Sequence, residues 1–240
     1  MSNNKFDIFF NINSTSISIG IFNSQNGKNI FSERYSCITN INNIDQNFNQ
    51  LENIFEKKIF EVEKKTKNFL NEVYLMIETT YSNSIGLSLF KDNEDNLLQK
   101  KDILYLIQDA RQQILRANKN QSIIHILITK YIIDLNEFDI LPLDKKCKNF
   151  SLDIKFILIP EILLKKIQKI FNKNHIVVKK ILCTSYVKSN DNINKNIFQS
   201  AYDLVKGKNK QEVVIVPKKP EKKGFFRLQK FFFQKYFLID

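Results

Sequence analysis

The sequence predicts an α/β protein in which a small α+β module is interposed within a larger unit. Short segments with alternating apolar residues recur along the chain, separated by long segments whose apolar residues keep helical spacing. Between residues 81 and 159 this order repeats on a smaller scale as strand, helix, strand, strand. With 240 residues, 43% of them hydrophobic, the chain can build one large domain or two small ones around a real core.

Each element has its own signal. Residues 6–22, FDIFFNINSTSISIGIF, alternate on either side of a polar turn near Asn13 and Ser14, the pattern of two short paired strands. A third strand is expected around residues 29–37. Over residues 47–71, Leu51, Ile54, Phe55, Ile59, Val62, Phe69 and Leu70 recur at helical spacing with charges between them, which predicts a long amphipathic helix. The strand EVYLMIETT follows. A strand near residues 85–90 leads through the polar KDNEDN to a helix over residues 100–118, striped by Ile103, Leu104, Ile107, Ala110, Ile114 and Leu115. Two strands come next, SIIHILITKYIID and NFSLDIKFILI, divided by a loop containing Pro142. Pro160 opens the helix PEILLKKIQKIFNKNH, where a missing N–H costs nothing, and that helix closes into the strand IVVKKILCTSY. The expected boundaries are residues 1–80 and 160–189 for the larger unit, 81–159 for the interposed module and 190–205 for a last core helix. A tether over 206–224 and a terminal helix over 225–240 complete the chain.

The terminal segment FFRLQKFFFQKYFLID has a chemistry of its own. Rolled into a helix, Arg227, Lys230 and Gln234 gather on one side while Phe225, Phe226, Leu228, Phe232, Phe233 and Tyr236 crowd the other, with Phe231 and Phe237 adding to the aromatic content. Such a helix is about 24 Å long, shorter than the roughly 30 Å hydrocarbon core of a bilayer, and its interleaved cations would be costly at mid-bilayer. It is expected to lie on a membrane rather than cross it. Lys222, Lys223, Arg227, Lys230 and Lys235 would meet anionic headgroups, each contributing about 1 kcal/mol. The competing reading is a terminal helix docked by its phenylalanines onto the protein's own core. The N-terminus lacks the basic region, long apolar run and cleavage site of a signal peptide, so the chain is expected on the cytoplasmic side.

A formal charge of +12 suggests nucleic acid, but much of the lysine accompanies an Asn-, Ile- and Phe-rich bias, and no RNP-type aromatic signature, zinc knuckle or GXXG loop supplies a reading surface. Nucleic acid is not an expected partner. Cys37, Cys147 and Cys183 are odd in number and far apart, which indicates neither a disulfide framework nor a metal site. His125 and His175 are isolated, and Asp134 and Asp139 have no nucleophile beside them. With no P-loop, HExxH or GxSxG, an enzyme has no residues to name, and neither cofactor nor metal is expected.

The run from Lys101 to Ile159 resembles the inserted SHS2-type subdomain of FtsA, the actin-like bacterial cell-division protein. A helix with an alanine-containing turn at Asp109 and Ala110 precedes a strand with Ile124 and His125. Residues 131–134 give an extended segment ending in an aspartate, 140–142 a short loop with proline, and 152–159 another strand. The segment IFQSAYDLVKG from Ile197 is similar to the family's last core helix, and the tail is similar to its linker and membrane-targeting helix. The resemblance implies a partial actin-like (RNase H-like) subdomain carrying the module. In such ATPases the first hairpin holds an aspartate, a glycine and small hydroxyl residues that approach magnesium and phosphate. Here Asn11 stands at the aspartate position, Asn13 at the glycine and Ser16 where a basic residue is common, while Ser14 and Thr15 keep the type. No D-x-G or Gly-Gly sequence occurs, and the half that would supply the other loops is missing between about Ser189 and Ile197.

The resemblance therefore implies a membrane-tethering adaptor of the division machinery without ATP hydrolysis. Its partners would be anionic lipid of the inner membrane, the tubulin-like ring protein or later division proteins, with self-association through the inserted module and a location at the division site. The alternatives are a pilus-type actin-like assembly factor at the membrane, or a basic nucleic-acid-binding module.

Overall fold

The computed structural model describes residues 5–37, 39, 41–141, 143, 145–190, 196–209, 211–216 and 230–233. Two compact units emerge, Met1–Ser82 with Ile159–Lys208, and Asn83–Leu158 with Asn209–Asp240.

In the first unit, β1 (Phe6–Asn13), β2 (Ser16–Asn23) and β3 (Asn29–Ser36) form an antiparallel meander. A 3-10 turn at Ile41–Asn43 leads into α1 (Ile44–Thr66), which stops where Lys67 adopts the left-handed conformation at φ 53°. The chain then returns as β4 (Glu72–Ile77), parallel to β1, and β9 (Val177–Cys183) adds in parallel beside β4. The sheet order is β3-β2-β1-β4-β9. Alternate residues of β1 serve opposite faces, as a period of two requires. Phe10 meets Phe55 of α1 and Phe171 of α3 (Glu161–Lys173), with ring centroids 5.9 and 5.4 Å away. On the other face Phe9 stacks on Tyr74 at 4.8 Å, and Phe22 stacks at 4.8 Å on Tyr202 of α5 (Ile197–Val205). Two helical layers thus enclose the sheet, which explains why β1 and β2 are buried almost throughout.

The second unit is a sheet ordered β5-β8-β6-β7, built from β5 (Asn83–Leu97), β6 (Gln121–Ile133), β7 (Asn136–Phe138) and β8 (Lys146–Pro160), with α2 (Lys100–Ala117) between β5 and β6 in the chain. Ile103, Ile107, Ala110 and Ile114 of α2 pack with Phe150, Leu152, Ile154 and Phe156 of β8 in one core. Asp102 anchors the start of α2, accepting from Gln99 N–H at 3.1 Å and pairing with Lys91.

Several expectations are corrected. KDNEDN is not a plain loop, because β5 continues through it with a register shift between Asp92 and Asn96, and Glu94 and Asp95 take positive φ to absorb the extra residues. TSY does not extend β9, which ends at Cys183, since α4 (Thr184–Ser189) begins there. Within the expected tether, β10 (Val213–Val216) is a strand, and the residues before it join the second sheet. Ile128 N–H donates to the Gln211 carbonyl at 2.8 Å, Leu127 bridges Glu212, and Val213 is buried in that unit's core. Within the expected terminal helix, β11 (Lys230–Phe233) is extended and pairs antiparallel with β10, Val213 opposite Phe233 and Val216 opposite Lys230. A run of apolar residues fits either period, and the β-branched partner VVIV supplies the ladder that decides for strand here.

Candidate functional site

The parallel strands place their carboxyl ends together, and a cavity of about 430 Å³ opens there. Asn13, Ser14 and Thr15 from the end of β1, Glu78, Thr79 and Thr80 after β4, and Cys183 and Ser185 around the end of β9 line it. Open α/β sheets bind ligands at this edge because the loops there are free to vary. On the face covered by α4 and α5 a second cavity of about 390 Å³ adjoins the same hairpin, with Asn11, Ser18, Arg34, Lys188 and Asn196 among its lining residues.

The hairpin is satisfied from within. Asn13 Oδ1 accepts from Thr15 N–H at 3.0 Å, from Thr15 Oγ1 at 3.2 Å and from Ser16 Oγ at 3.0 Å, an Asx turn that consumes an amide a phosphate would otherwise receive. The carbonyls of Ser14 and Thr15 accept from the N–H groups of Thr39 and Cys37 at 3.2 and 3.0 Å. Asn11 is buried, and its Oδ1 accepts from Thr184 Oγ1 of α4 at 2.8 Å. Asn11, Asn13, Ser14, Thr15 and Ser16, the hairpin positions named from the sequence, lie at the carboxyl end of β1, in the turn and at the start of β2. Asn13 Oδ1 is turned to Thr15 and Ser16 and Asn11 Oδ1 to α4, while Ser14 and Thr15 stay exposed at the first cavity.

Replacing Asn11 with aspartate puts a carboxylate where Thr184 can give only one hydrogen bond. It is expected to lower stability by about 2 kcal/mol in urea unfolding, without creating magnesium-dependent ATP turnover.

Sequence reasoning does not locate Arg34, Glu78, Thr184 or Lys188. Arg34 reaches the hairpin from β3, donating from Nε to Ser16 Oγ at 3.2 Å, and lies opposite Ser18 in the β2–β3 register. It supplies a cation from a neighbouring strand where Ser16 has none. Lys188 Nζ pairs with Glu78 at 2.6 Å. The serines alternating along β2 and β3 could have flagged a polar face, but the register that brings Arg34 to Ser16 is set by the turn around Gly27, which takes φ 69°. Among the described residues no cluster of His, Cys, Asp and Glu could hold a metal. Burial pushes the Cys37 and Cys147 thiols up, which suppresses thiolate chemistry at those two positions.

The membrane-binding residues named from the sequence fall into two groups. Lys230, Phe231, Phe232 and Phe233 form β11, while Phe225, Phe226, Arg227, Leu228, Lys235, Tyr236 and Phe237 lie outside the described residues. Among the described residues no helix is long and apolar enough to cross a membrane.

Three antiparallel strands continued by two parallel ones, enclosed by helices and with a cleft at the carboxyl edge, make the larger unit a mixed α/β fold, and the smaller unit is an α+β module. No protein-family model matches the chain, and no curated protein is similar to it in sequence. Among solved structures it is similar to the cytoplasmic domain of EpsL, an inner membrane component of the type II secretion system of Vibrio cholerae, with 10% identity over 76% of this chain and 57% of that one, at a TM-score of 0.36. The PilM–PilN type IV pilus biogenesis complex matches with 4% identity over 75% and 48%, at a TM-score of 0.47. A Bacteroides thetaiotaomicron protein with actin-like ATPase fold matches with 11% identity over 77% and 55%, at a TM-score of 0.30. The chain spans about half the length of each of these structures.

Proposed function

We propose that this chain is a membrane-linked adaptor of actin-like fold that binds partners without hydrolysing ATP. The observation that carries this reading is the closed hairpin. The position at which a carboxylate would order magnesium-bound water is an asparagine held by Thr184, and the Thr15 amide is occupied by Asn13. A cleft with that wiring keeps the architecture of a nucleotide fold while lacking its charge-handling groups.

The membrane link rests on the chemistry of residues 225–240, where cations alternate with a dense set of phenylalanines. That chemistry serves an interfacial hairpin as well as an interfacial helix. The resemblance of residues 101–159 to the inserted subdomain of FtsA supports placing the adaptor in the division machinery. There it would connect the tubulin-like ring and later division proteins to the cytoplasmic face of the inner membrane.

The test is co-sedimentation with liposomes containing anionic lipid, comparing the full chain with one stopped at Gly224. The full chain is expected to pellet, with binding that falls as salt rises, and the shortened chain to remain in the supernatant, folded, with its circular dichroism altered only by loss of the short β10–β11 pair. Equal recovery of both chains in the supernatant removes the membrane link.

A further inference from the structure

The register of the first sheet gathers the starts of β1, β3, β4 and β9 at one edge, opposite the first cavity. Phe6 lies across from Asn23, Phe22 from Asn29 and Glu72 from Val177, with β1, β4 and β9 all parallel. The helices α1 and α3 finish at this amino edge before turning into β4 and β9, and α5 ends there with Lys206 paired to Asp7.

Exposed apolar surface and surplus charge mark this edge. α1 stops at Thr66, three residues short of Phe69. The turn that follows is fixed by its own hydrogen bonds, Asn68 Nδ2 donating to the Thr66 carbonyl at 2.8 Å and Leu70 N–H to Glu63 at 2.9 Å. Leu70 is buried, whereas Phe69 is 85% exposed. Val177, whose N–H donates to the Asn71 carbonyl at 2.8 Å, is 57% exposed, and Ile30 near the start of β3 is 53% exposed. Of the carboxylates here, Asp7, Glu72 and Asp203 pair with Lys206, Lys179 and Lys208 at 2.7, 3.0 and 2.7 Å, and Glu63 is engaged by the Leu70 amide. The Lys5 carbonyl accepts from Ser24 N–H at 3.0 Å, which brings Lys5 to the β2–β3 turn that holds Lys28. Lys5, Lys28, Lys64 and Lys67 are exposed and have no carboxylate partner among the described residues, so the edge is left with an excess of cations.

We propose that the amino edge of the first sheet is a membrane-contact surface, in which Phe69 and Val177 enter the interface of an anionic bilayer while Lys5, Lys28, Lys64 and Lys67 meet its headgroups. Charge and residue type select this occupant. Lysine is depleted from the cores of protein–protein interfaces, but at a lipid surface its stem lies along the acyl boundary and its ammonium stays among phosphates. Nucleic acid would call for a stacking platform, and two of the three exposed apolar residues are aliphatic. Each lysine near an anionic surface strengthens binding about fivefold, so four of them with a small apolar contact make a weak site. Such a site acts once the chain is already held at the membrane, where its local concentration is high. That placement rests on the membrane link proposed above, whereas the surface itself belongs to the first unit.

The chain contains no tryptophan, so Phe69→Trp places a single fluorophore at the contact. The full chain carrying this change and a C-terminal hexahistidine tag is added to vesicles of phosphatidylcholine, phosphatidylserine and a nickel-chelating lipid, which hold it at the surface whether or not residues 225–240 bind. The tryptophan emission is expected to shift to the blue and to be quenched by lipids brominated on their acyl chains. Adding Lys64→Glu and Lys67→Glu is expected to abolish the shift, and on vesicles without nickel to weaken binding of the full chain about tenfold or more. Position 69 is exposed, and a thermal melt confirms that each variant is folded. Unchanged emission on the nickel vesicles overturns the proposal. So does a shift that persists in the Lys64 and Lys67 variant or on nickel vesicles without phosphatidylserine, and so does a change seen with single-stranded RNA and not with vesicles. A blue shift on nickel vesicles together with no pelleting in their absence supports this surface while removing the membrane link of the terminal segment.

Discussion

Replacing Gly20 with alanine is expected to destabilise the first unit by about 2 kcal/mol, and replacing it with valine by about 3 kcal/mol or more. Gly20 sits in the middle of β2, opposite Phe9 of β1 and Ser32 of β3, where a side chain would ordinarily favour the strand. A Cβ there would stand 2.5 Å from Cγ and 2.7 Å from Cδ1 of Phe198, inside the ring's van der Waals surface. Phe198 lies in the first turn of α5 and is 4% exposed, so its ring must shift toward the second cavity, which it lines, or the helix must lift from the sheet. Because Phe22 stacks on Tyr202 of the same helix, that displacement spreads to a second contact. Urea unfolding with an unchanged m-value reads the loss. Gly20→Ala combined with Phe198→Leu is expected to recover part of it, since the smaller side chain vacates the collision. If Gly20→Ala leaves the midpoint where it was, α5 does not pack on β2 as described.

The second large effect is expected at His125 and Glu212. His125 lies on β6 and Glu212 just before β10, the ring nitrogen Nδ1 and Oε1 are 2.8 Å apart, and the two side chains are 0% and 3% exposed. Removing one member of such a pair leaves a buried polar or charged group short of a partner, so His125→Ala and Glu212→Ala are each expected to cost about 3 kcal/mol. Glu212→Gln keeps an acceptor for the ring and is expected to cost less. Replacing both by leucine is expected to cost less than the sum of the single changes, because no polar group is then stranded. The readout that separates this pair from ordinary core packing is local. Amide exchange at Ile128, which donates to Gln211, is expected to accelerate in the single variants, since the segment before β10 is held to the second unit through this pair and the short ladder beside it. Unchanged exchange at Ile128 shows that the segment is held by its ladder and by Val213 alone.

These two sites show what a one-dimensional reading reaches. Periodicity is a local property, so the helices around Phe55 and Ile107 and the strands around Phe10 and Ile154 were legible from apolar spacing alone. The departures at Asn11 and Asn13 were legible for the same reason, as residue types within a single hairpin. Their meaning was not, because Asn11 is held by Thr184, 173 positions away, and Arg34 reaches the hairpin only through the register of β3. No window of sequence contains such pairs.

By itself the sequence determined an α/β chain with an interposed module, a first hairpin without a carboxylate, and an aromatic, basic terminal segment. Only the tertiary structure decided that residues 211–213 of an apparent tether belong to the second unit's sheet and core, and that Lys230–Phe233 run as a strand. The physical reason is that a charged, lysine-rich flank looks solvated until a distant edge offers it hydrogen bonds and a buried partner. A run such as KFFF likewise takes its conformation from the strand it finds rather than from its own period.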